Sequence, residues 1–213
     1  MPKKKNLSKA EKDELYKKNI PILKRILKRT KSAIGIDLGT NETGFYHHHF
    51  YDALLGFGMR ISPGKLQINQ RICKIVDSID ELLVNKKNTI VIIEDYSFGL
   101  RGSSVSQLSE LGGSVKTTLL KSGFNYFTLA PQTLKKFVLG PQRGSKVGKE
   151  FMLMQVLDKW GVKFDSADVC DAFCLAMFVY ELKLFIINEG SGLKWQDEMF
   201  RDFIINRGIP VMP

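Results

Sequence analysis

The sequence of 213 residues predicts an α/β fold, a mixed five-stranded sheet flanked by helices, and three observations support this class. Five short apolar stretches between residues 32 and 130 have the length and composition of buried strands. The first three follow one another through short connections, whereas a helical segment separates the last two, which indicates a parallel crossover. The stretch over residues 166–185 is apolar nearly all round at helical spacing, so it predicts a buried closing helix.

The chain begins with a strongly basic segment, residues 1–31, ahead of the first predicted strand. This segment holds twelve lysines and arginines against three acids, so it carries +9 of the total net charge of +10. Such a basic arm favours a polyanionic partner, either nucleic acid or anionic lipid. A solvated tail that only improves solubility is the alternative interpretation.

The basic arm also has the pattern of helices. Ser8-Lys9-Ala10-Glu11 is typical of a capping box at a helix N-terminus. Pro21 is expected to end this helix and to begin a second one, because proline removes a backbone donor from a helix interior. The second helix has a basic side and an apolar side, and the apolar side needs the body of the protein to pack on. Its apolar residues are Ile22, Leu23, Ile26 and Leu27.

The elements after the arm follow from hydrophobic periodicity and turn residues. Strands are predicted at residues 32–37, 43–52, 54–61, 88–96 and 124–130. Helices are predicted at residues 64–86, 103–123, 132–139, 146–160 and 166–185. We therefore divide the chain into the arm at 1–31, one domain at 32–185 and a C-terminal extension at 186–213.

Acidic residues stand at the predicted ends of two strands and at the start of the closing helix. Asp37 ends the first strand and Glu94 ends the fourth, and the carboxyl ends of central strands line the active crevice of α/β sheets. Asp168 and Asp171 share one face of the closing helix, where two buried like charges are costly unless a cation compensates them. Each acid alone also fits a structural role, since acids favour the first turn of a helix.

Carboxylates from three elements form the ligand set expected for Mg²⁺, or for Mn²⁺ in its place. Two such ions about 3.5–4 Å apart would stabilise the attacking and leaving oxygens of phosphodiester cleavage. The sequence therefore predicts a metal-dependent phosphodiesterase site.

The segment AIGIDLGTNETGF, residues 33–45, resembles the opening motif of two classes of protein. Chaperone-type and actin-type ATPases place a phosphate of ATP on this turn, whereas nucleases of the ribonuclease H class use the aspartate as a metal ligand. The ATPases need a second copy of the domain and an adenosine motif, for which 213 residues leave no room. The sequence therefore favours the nuclease and predicts no nucleotide cofactor.

From Ile34 to about Met177 the chain resembles the RuvC-type Holliday junction resolvases. GIDLGTNETGF matches the first-strand motif of the family, IIED matches its fourth-strand glutamate, and DVCDAFCLA matches its closing Asp-x-x-Asp-Ala helix. APQTLKKFVLG resembles the segment in which a family lysine, here Lys135, approaches the DNA and the active site. Lys146 or Lys149, in GSKVGKE, occupies the second basic position of the family.

The resemblance implies a ribonuclease H-like endodeoxyribonuclease that resolves four-way junctions and other branched DNA with two Mg²⁺ ions. The implied metal ligands are Asp37, Glu94, Asp168 and Asp171, and Lys135 completes the catalytic set. Lys146 or Lys149 would contact phosphate, as would Arg101 in a Gly/Ser-rich loop. The family places a stacking aromatic just after the fourth strand, and here Tyr96 and Phe98 both lie near that position.

The resemblance also implies a two-fold homodimer, with the segments 64–84 and 103–122 as its interface elements. The basic arm and the C-terminal extension lie outside the usual family pattern. They indicate a divergent member, such as one encoded by a bacteriophage, with a broader range of branched DNA substrates. Two other functions remain open: a ribonuclease H-like enzyme acting on RNA or an RNA–DNA hybrid, and a non-cleaving module of the same fold.

Three further features bear on location and on other sites. The chain has no run of about 18 apolar residues and no secretory signal, and its three cysteines fit reduced core residues, so we expect a cytoplasmic protein of a bacterial or infected host cell. Cys170 and Cys174 are expected to be small packing residues. His47, His48 and His49 are expected on the surface of an edge strand, with a metal pair formed by His47 and His49 as the alternative.

Overall fold

The computed structural model describes residues 7–51, 56–83, 86–95, 103–141 and 148–213. The strands are β1 (Ser32–Asp37), β2 (Thr43–His49), β3 (Gly56–Ile61), β4 (Thr89–Glu94) and β5 (Asn125–Leu129). The helices are α1 (Lys9–Arg29), α2 (Ile68–Leu82), α3 (Ser103–Lys121), α4 (Pro131–Leu139), α5 (Lys149–Trp160), α6 (Ala167–Asn188) and α7 (Lys194–Arg207).

The five strands form one mixed sheet in the order β3-β2-β1-β4-β5. The first three strands pair in antiparallel fashion, because short turns join them, and β4 and β5 then add to β1 in parallel. The predicted fold class is confirmed. Two parallel strands, β1 and β4, therefore end side by side in the middle of the sheet.

Helices cover both faces of the sheet. On one face the closing helix α6 packs together with α1, α4, α5 and α7 over side chains such as Ala33, Ile90 and Ile92. On the other face α2 and α3 pack over the alternate side chains, such as Ile34, Ile36 and Val91. The helix α6 is buried along most of its length, as its apolar sequence predicts.

Two strand glycines bring α6 into direct contact with the sheet. A Cβ atom added at Gly35 would lie 1.9 Å from the carbonyl oxygen of Ala172, and one added at Gly44 would lie 1.9 Å from that of Asp168. No side chain fits into such gaps, so these two positions require glycine if the helix is to lie where it does. The N-terminal half of α6 is thereby held against β1 and β2.

Within the arm, Lys9–Arg29 form one continuous helix, so the expected break at Pro21 is wrong. The capping box is present, with Ser8 Oγ accepting from the backbone N–H of Glu11, and Pro21 lies inside α1. Proline costs a helix one hydrogen bond, but burial of Leu23 and Leu27, both 0% exposed, stabilises the part of the helix that follows Pro21. The apolar side of α1 thus packs on α6 and α7.

The chain beyond residue 185 is also built into the core. The helix α6 continues to Asn188, and α7 follows it with Phe200 and Ile204 completely buried. Asn19 of α1 donates to the carbonyl oxygen of Ile204 at 3.1 Å. The two ends of the chain therefore pack on one another over α6.

The histidines do not lie on an edge strand, so that expectation is wrong. The edge strand is β3, whereas His47 and His48 lie on β2 with exposures of only 7% and 0%. Tyr180 of α6 and Phe50 pack against the ring of His48, and contact with so distant a helix has no local signature in the sequence. Cys170 and Cys174 are buried, as expected.

Among the described helices, none combines the length and the apolar character that crossing a bilayer requires.

Candidate active site

Asp37 and Glu94 meet at the carboxyl end of the sheet. Each is the last residue of its strand, and the neighbouring parallel strands are in register up to the pair Ile36 and Ile93. Alternation along a strand places Asp37 on the same face as Ala33, and Glu94 on the same face as Ile92, which is the face covered by α6. The structure also links the two carboxyl groups by a hydrogen bond.

The first turn of α6 brings two further acids to the same place. Ser166 caps the helix by accepting from the backbone N–H of Val169 at 3.4 Å. Because Gly35 and Gly44 hold the helix close to β1 and β2, Asp168 and Asp171 lie over the end of the sheet. Four carboxyl groups from three elements thus face one another.

Crowding and burial change the acidity of three of these groups. Burial raises the pKa of Asp37 well above its usual range, and the neighbouring Glu94 and Asp168 raise it further. The pKa of Glu94 is raised mainly by its own burial. Burial, and then the charge of Asp37, raises the pKa of Asp171 to about 7. Without a cation, the cluster therefore favours retained protons.

Two lysines supply the positive charge at the site. Lys149, at the start of α5, places its Nζ 3.0 Å from Oδ1 of Asp168, and this contact raises the pKa of the lysine. Lys135, on α4, is close enough that its charge lowers the pKa of both Glu94 and Asp171. Both lysines therefore oppose the desolvation that burial imposes on the acids.

The donor set fits hard divalent cations such as Mg²⁺ and Mn²⁺. Only carboxylate oxygens converge here, and such cations prefer oxygen ligands over nitrogen or sulfur. The mutual repulsion of the acids is also the electrostatic condition that a divalent cation relieves. Within the described ranges, no three acidic, histidine or cysteine side chains already stand in a metal-binding arrangement.

A groove of about 540 Å³ opens beside Asp168. Its walls come from the turn between β1 and β2 and from the residues after β3, and Lys149 and Asp168 lie at one end. The turn is held by Thr43, whose hydroxyl donates to the carbonyl oxygen of Gly39 at 2.8 Å. The polar residues of this wall include Thr40, Asn41 and Ser62.

Sequence reasoning missed two features of the site. It gave no role to Gly35 and Gly44, which decide how closely α6 approaches the sheet. A signal existed, because Gly35 precedes Asp37 by two residues and thus lies on the same face of β1. Sequence reasoning also missed the groove residues Asn41 and Ser62, which carry no motif of their own.

Several predicted site residues lie outside the described residues. These are the two aromatic candidates Tyr96 and Phe98, the loop residue Arg101, and Lys146. Of the two candidates for the second basic position, the structure therefore describes Lys149 only.

Comparisons with known proteins agree with this geometry. The family model described as "Crossover junction endodeoxyribonuclease RuvC" matches residues 33–178. A protein of that name from Agrobacterium fabrum is 25% identical over 154 residues, covering 71% of this chain and 89% of the relative. Its counterpart from Sulfurovum sp. is 27% identical over 150 residues, covering 68% of this chain and 91% of the relative.

Solved structures show the same fold. The structure of Thermus thermophilus RuvC is 17% identical with a TM-score of 0.56, and it covers 74% of this chain and 96% of its own. The structure of T. thermophilus RuvC in complex with Holliday junction substrate is 18% identical with a TM-score of 0.59, over the same shares of the two chains. In each match the aligned part corresponds to nearly the whole of the solved chain, so about a quarter of this chain has no counterpart there.

Proposed function

Since this chain belongs to the RuvC family of crossover junction endodeoxyribonucleases, we propose that it resolves Holliday junctions and other branched DNA by metal-dependent hydrolysis of phosphodiester bonds. One observation carries the proposal: Asp37, Glu94, Asp168 and Asp171 converge from three elements at one end of the sheet. The RuvC structure that holds a Holliday junction substrate has the same fold.

Asp37, Glu94, Asp168 and Asp171 would hold two Mg²⁺ ions, with Mn²⁺ able to substitute. Divalent ions in such a site supply Lewis-acid stabilisation of the phosphate oxygens and lower the pKa of attacking water. The raised pKa of Asp37, Glu94 and Asp171 means that these side chains release protons when a cation takes the place of those protons.

Basic side chains would hold the DNA against the acids. Lys135 lies next to Glu94 and Asp171, where its charge can neutralise the phosphate under attack. Lys149, which is 71% exposed, can turn from Asp168 to a neighbouring phosphate. By resemblance to the family, Lys146 and Arg101 would add phosphate contacts, and Tyr96 or Phe98 would stack on a base at the crossover.

The test is cleavage of a labelled four-way junction beside a linear duplex and an RNA–DNA hybrid, each with Mg²⁺ and with excess chelator. We expect selective cleavage of the junction, only with the metal. Glu94→Gln and Asp171→Asn should abolish cleavage while junction binding persists, because phosphate contacts depend on the basic residues. Glu198→Gln, an equal loss of charge at an exposed position on α7, serves as the matched control.

Preferential cleavage of the hybrid would instead support a ribonuclease H-like enzyme that acts on RNA. Cleavage in excess chelator, or full activity in both acid variants, would overturn the assignment of the metal site. Binding of the junction without cleavage under any metal condition would indicate a non-cleaving module.

We further propose that the active form is a homodimer in the cytoplasm of a bacterial or infected host cell. Resolution of a junction needs two matched cuts, and a two-fold dimer places two sites on opposite strands. The helices α2 and α3 are the interface elements by resemblance to the family. Light scattering of the wild-type chain, alone and with the junction, tests this, and a monomer in both samples would contradict it.

A further inference from the structure

The helix α1 presents a concentrated basic surface between Lys17 and Arg29. From Leu15 to Ile36 the chain has seven lysines and arginines and no acid. Six of them lie on α1 within an arc of about 140° on a helical wheel of 100° per residue, and all six are exposed. We call this surface the basic face; its residues are Lys17, Lys18, Lys24, Arg25, Lys28 and Arg29. In the part of the chain that the structure describes, only Lys24 of the six has an ion-pair partner.

The basic face is held rigidly, unlike a solvated tail. Leu23 and Leu27, on the opposite side of α1, are both 0% exposed. Asn19 bonds the backbone of α7, and the guanidinium of Arg201 lies 4.8 Å from the ring centre of Tyr16. Charges fixed in one orientation lose less entropy on meeting a partner than charges on a free tail.

The part of the basic face from Lys24 to Arg29 lies far from the candidate active site. Lys24 pairs with Glu189 at 3.5 Å, and Lys183 donates to the carbonyl oxygen of Thr30 at 2.5 Å. The C-terminal half of α1 therefore lies at the C-terminal end of α6, whereas Asp168 and Asp171 lie at its start. Eighteen residues separate Asp171 from Glu189, which corresponds to about 27 Å along the helix. This distance is about eight base pairs of duplex, since DNA rises about 3.4 Å per pair.

A polyanion is the partner that this surface fits, and DNA is favoured over an anionic membrane. An amphipathic helix binds a membrane by inserting its apolar side, but that side of α1 is already buried against α6 and α7. Phosphate contacts on duplex DNA need only exposed lysines and arginines. The proposed substrate also carries duplex arms that extend away from the site of cleavage.

We propose that the basic face is a second DNA-binding surface, which holds a duplex arm of the substrate about eight or more base pairs from the cleaved bond. This inference rests on the proposed function for the identity of the substrate. The role belongs to α1, which lies outside residues 33–178, the part of the chain that the family model matches. The basic face would therefore make the protein bind branched DNA with long duplex arms more tightly than branched DNA with short ones.

The experiment compares two triple variants of the full chain. Arg25→Gln, Lys28→Gln and Arg29→Gln together remove three exposed charges from the basic face without touching the buried side of α1. Lys12→Gln, Lys65→Gln and Lys163→Gln remove three exposed charges that lie outside the basic face, so net charge falls equally. Junction affinity is measured by fluorescence anisotropy between 50 and 200 mM KCl without divalent metal, and melting temperature checks folding. One junction has 20-base-pair arms and the other has 5-base-pair arms closed by hairpin loops.

On the junction with 20-base-pair arms, we expect the triple variant of the basic face to flatten the slope of log affinity against log salt by about two to three. Each phosphate contact contributes about 0.9 to that slope. The control variant should change it by less than one. On the junction with 5-base-pair arms, the triple variant of the basic face should show the same affinity and salt slope as the wild-type chain. Equal slopes for the two triple variants on the junction with 20-base-pair arms would overturn the proposal. An equal loss of affinity by the basic-face variant on both junctions would also overturn it.

Two further outcomes separate this inference from its alternatives. Wild-type and variant chains are also tested on vesicles of phosphatidylcholine with 30% phosphatidylserine. If the triple variant of the basic face loses vesicle binding but keeps the wild-type salt slope of junction affinity, the surface binds lipid and the proposal is overturned. If the wild-type chain binds the junction but never cuts it with Mg²⁺, the proposed function fails, while the salt slopes still decide whether α1 binds DNA.

Discussion

Asp171 shows what clustering does to a single residue. Burial and the charge of Asp37 raise its pKa from 3.8 to about 7. Asp171 is thus held in its protonated form over most of the range in which an exposed aspartate is ionised. The same residue is one of the proposed metal ligands, so stability and metal binding depend on one side chain.

A pH dependence of stability follows from Asp171 when metal is removed. A pKa that is raised in the folded state contributes stability below the unfolded pKa of 3.8, and this contribution is lost as pH rises through about 7. In excess chelator we expect the melting temperature to fall between pH 5 and pH 8. Asp171→Asn should flatten this fall and raise the melting temperature at pH 8.

The control for this measurement is Asp77→Asn, which changes an exposed carboxylate on α2. This variant should keep the pH dependence of the wild-type chain. If Asp171→Asn melts at a lower temperature than the wild-type chain at pH 8, ionised Asp171 does not destabilise the metal-free fold, and the prediction is wrong.

Substitution of Lys149 alone should change the affinity of the site for divalent metal. Its Nζ contacts Asp168 at 3.0 Å, so the lysine competes with a divalent cation for that carboxylate. Because the lysine is 71% exposed, the contact is worth at most about 1 kcal/mol. We expect Lys149→Met to tighten Mn²⁺ binding by up to about fivefold in calorimetry and to weaken junction binding. Lys163→Met is the matched control, and weaker Mn²⁺ binding in Lys149→Met would contradict the competition.

At the scale of elements, the position of α6 depends on two glycines of the sheet. Its backbone lies so close to Gly35 and Gly44 that a methyl group at either site would overlap a carbonyl oxygen of the helix. The first motif of the chain, residues 33–45, therefore serves two purposes, since it contains the acid Asp37 and its glycines allow close packing of the helix that carries Asp168 and Asp171.

Gly44→Ala should move α6 and so disturb the site. The added Cβ would lie 1.9 Å from the carbonyl oxygen of Asp168, so we expect a loss of about 1–3 kcal/mol or more in unfolding free energy. Metal-dependent cleavage should fall with it, measured at a temperature where the variant remains folded. Gly113→Ala, in α3, meets nothing within 4 Å and should raise stability by up to about 1 kcal/mol. Equal stability of the two variants would mean that α6 adjusts freely.

At the scale of the whole molecule, the charge and the core are unevenly distributed. The arm carries nearly all of the net positive charge, yet its apolar residues belong to the same cluster as α6 and α7. The arm is therefore both an electrostatic and a structural part of the protein, and its removal cannot be neutral.

Deletion of residues 1–31 should lower the melting temperature sharply. It removes Leu23 and Leu27 from the core, and loss of one buried leucine side chain typically costs about 2–5 kcal/mol. We expect a fall of more than about 10 °C, or failure to fold, in calorimetry of the truncated chain. Lys18→Ala, at an exposed position of the same helix, should change the unfolding free energy by less than about 0.5 kcal/mol. An unchanged melting temperature after deletion would show that the core is complete without α1.

The sequence alone determined the fold class and the acids from which we propose the metal site. Five strands and a buried closing helix follow from the hydrophobic periodicity of short stretches, which is a local property of the chain. Strand ends and helix starts are also local, so Asp37, Glu94 and Asp168 were identifiable as candidates. The resemblance to the family supplied Lys135 and Lys149, which have no local signature.

Only the tertiary structure decided the features that depend on packing between distant segments. Pro21 lies within one helix because burial of Leu23 outweighs a lost hydrogen bond. His48 is buried because Tyr180 of α6 and Phe50 pack against its ring. The pKa of Asp171 is raised because the sheet and α6 bring four carboxyl groups out of water together. Burial and electrostatic energy depend on distances in space, which hydrophobic periodicity along the chain does not encode.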